Sequence, residues 1–156
     1  MLRIKHIIEE GKELEIIRGL FREYEKELDE DICFQSFDEE LMHPLKKYGP
    51  PSGDLVIAYW EDEIAGCIAL TRMKESGVCE MKRLYVKPSF RKNKIGRLLV
   101  EELLNSAKEK NYEKMRLDTF IKLQAAVHLY KQFGFENISP YYNNPLPGVV
   151  YMEKEL

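Results

Sequence analysis

Three dense apolar segments follow one another between Asp54 and Pro88, and two short polar stretches, "EDE" and "KESG", separate them. Segments of this length, bounded by charged and glycine-containing turns, predict three consecutive strands that pair as a meander. Each segment is apolar at most of its positions, whereas a strand with one solvated face would alternate between apolar and polar residues. The pattern therefore predicts a sheet that other parts of the chain cover on both faces.

The segments on either side of this meander predict the covering elements. "LRIKHIIE" is typical of a strand, and "ELEIIRGLFREYEKELDE" is apolar at helical spacing. A short helix with Ser36 at its N-cap is expected next. After the meander we expect a helix from about Lys94 to Lys110, a strand "KMRLDTF", a helix "QAAVHLYKQFG" and a strand "GVVYMEKEL". The order β-α-α-β-β-β-α-β-α-β predicts an α/β or α+β fold with one mixed sheet, as a single domain over residues 1–156.

Composition and charge limit the partners that we expect. The chain has 24 basic and 27 acidic residues, and its net charge of -3 disfavours a surface devoted to nucleic acid or an anionic membrane. No segment approaches the roughly 18 apolar residues of a membrane span, and the N-terminal sequence turns acidic where a signal peptide stays apolar. A cytoplasmic protein is therefore expected. Cys33, Cys67 and Cys79 lack CxxC spacing, which predicts neither a disulfide framework nor a zinc site.

Positive charge is concentrated at the junction between the last strand of the meander and the next helix. Five basic residues and no acidic one lie between Lys87 and Arg97. Unpaired N–H groups in the first turn of a helix, together with the helix dipole, bind anions, and Gly96 would allow a ligand to approach closely. The alternative is that the basic residues only solvate a turn. Neither GxxxxGK[ST] nor GxGxxG is present, which disfavours nucleotide hydrolysis and dinucleotide binding.

Two motifs at a fixed separation carry a resemblance to a known family. "RLYVKPSFRKNKIGRLL", followed about thirty residues later by "AAVHLYKQFGF", resembles the GNAT superfamily of acetyl-CoA-dependent N-acetyltransferases, whose hallmark is [R/Q]-x-x-G-x-[G/A]. Arg91 and Gly96 occupy the first and last hallmark positions, and Lys94 replaces the middle glycine. The tail "PYYNNPLPGVVYMEKEL" is similar to a bacterial subgroup of small, uncharacterised acetyltransferases. The resemblance implies a mixed, mostly antiparallel central sheet of six to seven strands, flanked by about four helices.

The same resemblance implies a cofactor and a reaction. The protein is expected to use acetyl-CoA, without a metal, and to transfer acetyl directly to a primary amine of a small molecule, amino acid derivative or peptide. Backbone N–H groups near Leu84 and Val86 are expected to contact the cofactor, at a bulge that the family has in this strand. The expected cofactor-binding residues are Leu84, Tyr85, Val86, Arg91, Lys92, Asn93, Lys94, Ile95, Gly96 and Arg97. The rival hypothesis is a non-catalytic acyl-CoA-binding module, for which Lys94 is the main sequence support.

Acetyl transfer to an amine needs a base, because a lysine-type amine with a pKa near 10.4 is protonated at pH 7. The reaction also needs an acid that protonates the departing thiolate. Glu80 is similar in position to the general base of the histone-acetylating branch; the alternative is a strand glutamate paired with Lys82 or Arg83. Tyr130 lies where the family places the acid; the alternative is a core tyrosine. Cys79 as an acetylated nucleophile lacks a base near it in sequence.

The acceptor site is expected to involve the loop "SPYYNNPLPG", whose prolines stiffen it and whose tyrosines would form an aromatic wall. The candidate acceptor-binding residues are Tyr141, Tyr142, Asn143 and Asn144. The alternative for this loop is a homodimer contact. Asp118 and Thr119, at the end of the preceding strand, are further candidates for facing the acceptor. The expected partners are acetyl-CoA and an unidentified amine, with neither nucleic acid nor membrane.

Overall fold

The computed structural model describes residues 1–32 and 36–156, so Cys33 lies outside the described residues. Its centre is one twisted sheet. The described strands are β1 (Leu2–His6), β2 (Asp54–Trp60), β3 (Glu63–Arg72), β4 (Val78–Val86), β5 (Lys114–Phe120), β6 (Glu136–Ile138) and β7 (Val149–Glu155). They form seven strands in the order β1-β2-β3-β4-β5-β7-β6, and the β4–β5 pair is parallel while the other neighbours are antiparallel. The predicted mixed, mostly antiparallel sheet is confirmed.

Five α-helices are present among the described residues. They are α1 (Lys12–Leu28), α2 (Phe37–Met42), α3 (Pro44–Tyr48), α4 (Ile95–Glu109) and α5 (Gln124–Gln132), and a 3-10 helix (Pro88–Asn93) precedes α4. The predicted element order is wrong in two details, because it lacks α3 and β6. These elements have five and three residues, which is too short to leave a periodic pattern. Ser36 is the N-cap residue of α2, but its side chain makes no capping hydrogen bond.

Helices cover both faces of the sheet, as the apolar meander predicts. On one face α4 and α5 pack on β2 to β5, with residues such as Leu99 and Met81 in a single core. On the other face α1, α2 and α3 pack on the same strands, around residues such as Phe21 and Tyr48. Consecutive residues of β2 and β3 are therefore buried alternately in two different cores.

A bulge in β4 interrupts its pairing with β3. Tyr85 pairs with Cys67 and Lys82 pairs with Ala69, so β4 contains one residue more than β3 between these two pairs. Arg83 lies in this bulge with a left-handed backbone, φ 59°. Gly66 makes the close approach possible, because a Cβ atom there would lie 2.3 Å from the carbonyl oxygen of Tyr85.

The parallel strands β4 and β5 then separate. Their pairing runs from Val78–Lys114 to Glu80–Arg116 and stops there. Beyond that point β4 enters its bulge, while β5 continues alongside β7. A cleft therefore opens in the middle of the sheet, between the C-terminal halves of β4 and β5.

His6 joins the edge strand β1 to β2 and α4 through two carboxylates. Its Nδ1 lies 2.8 Å from Asp54 Oδ1 and its Nε2 lies 2.6 Å from Glu102 Oε1. The hydrogen bond to Asp54, with that to Glu102, outweighs burial and raises the pKa of His6 from 6.5 to about 9. Because the folded pKa is the higher one, this stabilisation is complete below pH 6.5 and disappears as the pH rises through 9.

We expect the free energy of unfolding to fall by about 1–2 kcal/mol between pH 6.5 and pH 9.5, a magnitude reduced for solvent screening because the His6 side chain is 37% exposed. Urea unfolding at a series of pH values measures this. His6→Gln should remove that part of the pH dependence, whereas His128→Gln, on an exposed histidine of α5, should leave it in place. If the free energy of unfolding of His6→Gln falls with pH as steeply as that of the wild type, the pH dependence does not come from His6.

Candidate active site

The cleft between β4 and β5 continues into a groove of about 510 Å³ that runs between the ends of three helices. The cleft walls are residues 81–84 of β4 and 117–120 of β5, and Tyr130 of α5 lies between them. The groove is bordered by the C-terminal end of α1 and by the first turns of α4 and α5. The two spaces share Leu84 and Ala126, so a long ligand could occupy both.

The groove passes the N-terminus of α4. The first backbone hydrogen bond at this end runs from Leu98 N to Lys94 O, and within the described residues no side chain caps the helix. The N–H groups of Ile95, Gly96 and Arg97 are therefore available to an anion. Gly96 itself lines the groove. These groups suit a phosphate or pyrophosphate, so the residues present fit the anionic part of coenzyme A.

The predicted cofactor-binding residues divide into two groups. Those that line the groove are Leu84, Tyr85, Val86, Arg91 and Gly96. The others lie at its edge or turn away from it: Lys92, Asn93, Lys94, Ile95 and Arg97. The Ile95 side chain is buried in the core, and the Arg97 guanidinium lies over the Phe133 ring, so neither side chain lines the groove.

Arg91 already has a partner of opposite charge. Its Nη2 lies 2.6 Å from both carboxylate oxygens of Glu27, on α1, and its Nε donates to the carbonyl oxygen of Val86 at 2.9 Å. The guanidinium is thus held at the groove by contacts within the protein. An anionic ligand that binds Arg91 must share it with Glu27 or displace that carboxylate.

Lys94 occupies the position of the motif's middle glycine and has the backbone conformation that glycine favours, with φ 59° and ψ 25°. This conformation costs a side-chain-bearing residue about 1–2 kcal/mol, whereas glycine adopts it freely but loses about 0.5–1 kcal/mol of entropy on folding. Lys94→Gly is therefore expected to stabilise the protein by about 0.5–1 kcal/mol. Urea unfolding tests this, with Lys92→Gly in the 3-10 helix as a control that should destabilise. A loss of stability in Lys94→Gly would contradict a left-handed Lys94.

Tyr130 lies at the base of the cleft. It is 6% exposed, and its ring meets Phe135 edge-on with the centroids 5.9 Å apart. Burial, with smaller contributions from Tyr24 and Asp118, raises the pKa of its hydroxyl well above the usual value. Within residues 1–32 and 36–156 nothing hydrogen-bonds this hydroxyl. Tyr130 therefore presents a neutral O–H group, whose proton is available to a ligand in the cleft.

Glu80 lies one residue before the cleft opens. It occupies the last paired position of β4 with β5, is 9% exposed, and accepts a hydrogen bond from the Tyr141 hydroxyl at 2.7 Å. Arg83 is one of the two partners that the alternative interpretation gives to Glu80. In the structure Arg83 makes a bidentate ion pair with Glu40 of α2, with distances of 2.7 and 3.0 Å. Glu80 therefore contacts the tail loop (residues 139–148).

Asp118 faces the cleft and contacts the same tail loop. Its Oδ2 accepts hydrogen bonds from the Tyr142 hydroxyl and from Asn144 Nδ2, and its Oδ1 lies 3.8 Å from Lys82 Nζ. Both side chains of this ion pair are nearly buried, with Asp118 8% and Lys82 6% exposed. Three of the four predicted acceptor-binding residues thus adjoin the two carboxylates, whereas Asn143 is exposed to solvent.

Several residues that shape this site are not among the candidates predicted from the sequence. They are Glu40, Gly66 and Tyr151, while Lys82 and Arg83 are predicted only as partners of Glu80. Lys82 and Arg83 are adjacent basic residues inside the mostly apolar strand "CEMKRLYV", and this pattern indicates buried charges. Buried charges need partners, so these residues had to face carboxylates from other elements. No pattern in the sequence indicates that Tyr151 belongs to the site. In the structure its ring packs against the rings of Tyr141 and Tyr142.

Two further side chains with nucleophilic or acid–base chemistry lie outside the cleft walls. Cys79 is fully buried, which raises the pKa of its thiol to about 12 and disfavours the thiolate that a nucleophile needs. His128 is exposed and hydrogen-bonds Gln132. In the described part of the chain no cluster of three metal-ligating side chains occurs. No helix of that part is long and apolar enough to cross a membrane.

Comparisons with known proteins agree with this geometry. The model of the acetyltransferase (GNAT) family matches residues 14–135. An uncharacterized N-acetyltransferase of Schizosaccharomyces pombe is 45% identical over 93% of this chain and 90% of its own length. The crystal structure of an acetyltransferase from Streptococcus agalactiae superposes with a TM-score of 0.83 at 23% identity, covering 99% of this chain and 98% of that one. An acetyltransferase of Bacillus subtilis, solved in complex with CoA, has a TM-score of 0.68 at 22% identity, covering 100% and 99%. The yeast relative shows that the similarity extends beyond bacteria.

Proposed function

Because the chain belongs to the GNAT family of acetyltransferases, which use acetyl-CoA as co-substrate, we propose that it transfers acetyl to a primary amine of a small molecule, amino acid derivative or peptide. The observation that carries this proposal is the continuous path from the uncapped N-terminus of α4, along the bulged end of β4, to the buried hydroxyl of Tyr130. This path offers N–H groups at one end and a proton donor at the other.

In this proposal the chain's own residues hold the co-substrate at three places. The N–H groups of Ile95, Gly96 and Arg97 bind its phosphates, with Arg91 as the nearby cation. The separated edge of β4 at Leu84 offers a backbone N–H group to the arm that enters the cleft. The co-substrate supplies the acetyl thioester, and the walls of the cleft exclude water around it.

Tyr130 is the proposed acid. Its hydroxyl is neutral and lacks a hydrogen-bond partner in the described protein, so it can donate a proton to a leaving thiolate. Glu80 remains the sequence-based candidate for the base, and Tyr141, Tyr142 and Asn144 are the proposed acceptor contacts. A cytoplasmic location, a single domain over residues 1–156 and a homodimer are further proposals from the sequence.

Calorimetric titration with acetyl-CoA, followed by a CoA-release assay with a panel of primary amines, tests the proposal. We expect micromolar binding and amine-dependent CoA release. Gly96→Glu should abolish binding by placing a carboxylate beside the anion site, whereas Gly19→Glu, in α1 where a Cβ meets no neighbour within 4 Å, should retain it. Binding without CoA release for any amine would support the non-catalytic module instead.

A further inference from the structure

We propose that Asp118, and not Glu80, is the general base that takes the proton from the attacking amine. This inference rests on the proposed amine acetylation and assigns a residue to one of its steps. It follows from the point at which the two central parallel strands separate, and from the contacts that hold each carboxylate.

Glu80 and Asp118 lie on opposite sides of the point at which β4 and β5 separate. The cleft begins after the Glu80–Arg116 pair, so Glu80 belongs to the closed part of the sheet and Asp118 to the open part. Among the described residues that form the cleft walls, Asp118 supplies the carboxylate, and it shares this cavity with Tyr130. The base and the acid of an acetyl transfer must both reach the same reacting group, and Asp118 meets this condition.

Asp118 influences the ionisation of the tyrosines around the cleft. Its charge raises the pKa of the Tyr130 hydroxyl, after the larger effects of burial and of Tyr24. Asp118 also raises the pKa of Tyr24, across the cleft on α1. The charge of Asp118 therefore acts on tyrosine hydroxyls on both sides of the space where an acetyl group would lie.

Three side chains hold the carboxylate of Asp118 in place. Lys82 supplies one cation, and Tyr142 and Asn144 supply two hydrogen bonds, which fix the orientation of the group. A carboxylate has about four lone-pair positions, so these three contacts leave room for one more donor. An ammonium group in the cleft can occupy that position.

Glu80 is not accessible to an amine in the way that Asp118 is. The Tyr141 hydroxyl donates to it at 2.7 Å, and the rings of Tyr142 and Tyr151 pack against Tyr141. Tyr141 is therefore held in place above the carboxylate. An amine would have to displace this tyrosine to reach Glu80, whereas it reaches Asp118 through the cleft itself.

In the proposed reaction two protons leave the acceptor nitrogen, one to Asp118 and one to Tyr130. The ammonium form of the acceptor gives one proton to Asp118 and becomes a neutral amine. The amine nitrogen forms a bond to the thioester carbonyl carbon, and the carbon–sulfur bond breaks. Tyr130 gives its proton to the departing sulfur and regains one from the acylated nitrogen, while Asp118 releases its proton to water. The products are the acetamide, CoA thiol and one proton.

The test uses two small nucleophiles with acetyl-CoA: ethylamine, which is protonated at pH 7, and hydroxylamine, which is mostly neutral. CoA thiol release is measured for wild type, Asp118→Asn, Glu80→Gln and Tyr142→Phe. Asp118→Asn should lose about 100-fold with ethylamine and less than about 5-fold with hydroxylamine. With ethylamine, its kcat/KM should keep rising with pH where the wild type levels off. Glu80→Gln and Tyr142→Phe should reduce both reactions by the same small factor.

Other outcomes overturn the proposal. A selective loss of the ethylamine reaction in Glu80→Gln assigns the base to Glu80. If Asp118→Asn and Tyr142→Phe each lose the same factor in rate with ethylamine as with hydroxylamine, the role of Asp118 is to hold the tail loop. Titration with acetyl-CoA reports whether each variant keeps its folded groove. If wild type binds acetyl-CoA but releases no thiol with either nucleophile or with any amine of the panel, amine acetylation itself fails and the inference falls with it.

Discussion

Replacing Arg83 with methionine is expected to lower the free energy of unfolding by about 3–5 kcal/mol. Arg83 and Glu40 form a bidentate ion pair in which the side chains are 3% and 1% exposed. Burial opposes ionisation of Glu40, but the hydrogen bond and charge of Arg83 outweigh it and lower the pKa of that carboxyl. Without Arg83 the buried Glu40 carboxylate keeps Lys47, whose Nζ lies 3.6 Å away, but loses its bidentate partner, so its charge is poorly compensated.

Urea unfolding of Arg83→Met measures this cost, and the double variant Arg83→Met with Glu40→Met is the matched control. Because it removes both charges and leaves apolar side chains of similar length, the double variant should recover most of the lost stability. A single variant that loses less than about 1 kcal/mol would mean that the ion pair is far more solvated than its burial indicates.

This ion pair has a consequence for the site, because Arg83 lies in the β4 bulge. The bulge has a left-handed residue at Arg83, and the bond to Glu40 ties that residue to α2. Lys82 and Leu84, the neighbours of Arg83, face the cleft from the same segment. The positions of the Lys82 ammonium and the Leu84 N–H group therefore depend on a contact made outside the cleft.

The sequence predicted those features of the fold that are local or repeated along the chain. The meander, the junction before α4 and the motif around Tyr130 all depend on residues close together in sequence, and their patterns were readable. The β4 bulge was expected from the family resemblance alone, because neither glycine nor asparagine marks the left-handed position at Arg83. Gly66, which permits the bulge, lies on a different strand.

The site was less predictable than the fold, because its contacts join distant segments. Glu80 and Tyr141 are 61 positions apart, and Arg91 and Glu27 are 64 apart. Glu80 and Tyr141 are each predicted from the sequence, but no local pattern indicates that they are in contact. The basic run before α4 illustrates the same limit, because its charge suggests a phosphate site while Arg91 is paired with Glu27 and Arg97 leans on Phe133. Two of the basic side chains of this junction are therefore already engaged within the protein, whereas the backbone N–H groups in the first turn of α4 are left available.

Replacing Tyr130 with phenylalanine is expected to lower kcat about 100-fold with ethylamine as acceptor, while the dissociation constant for acetyl-CoA stays within about threefold. The hydroxyl makes no hydrogen bond within the described protein, so its removal breaks no internal contact. The ring, which packs edge-on against Phe135, is retained. Stability should therefore change by less than about 0.5 kcal/mol, and the loss of rate should reflect the missing proton alone.

Tyr112→Phe is the matched control, because the Tyr112 hydroxyl donates to the carbonyl oxygen of Ser52 at 2.6 Å, away from the cleft. This variant should lose some stability and keep its activity, the reverse of the result expected for Tyr130→Phe. If Tyr130→Phe keeps its rate, Tyr130 is a core residue and water protonates the leaving sulfur. If it loses rate and acetyl-CoA binding together, its hydroxyl contributes to binding the thioester in the ground state. Only a loss of kcat at constant affinity assigns the hydroxyl to the chemical step, because only then is its contact made in the transition state and not before.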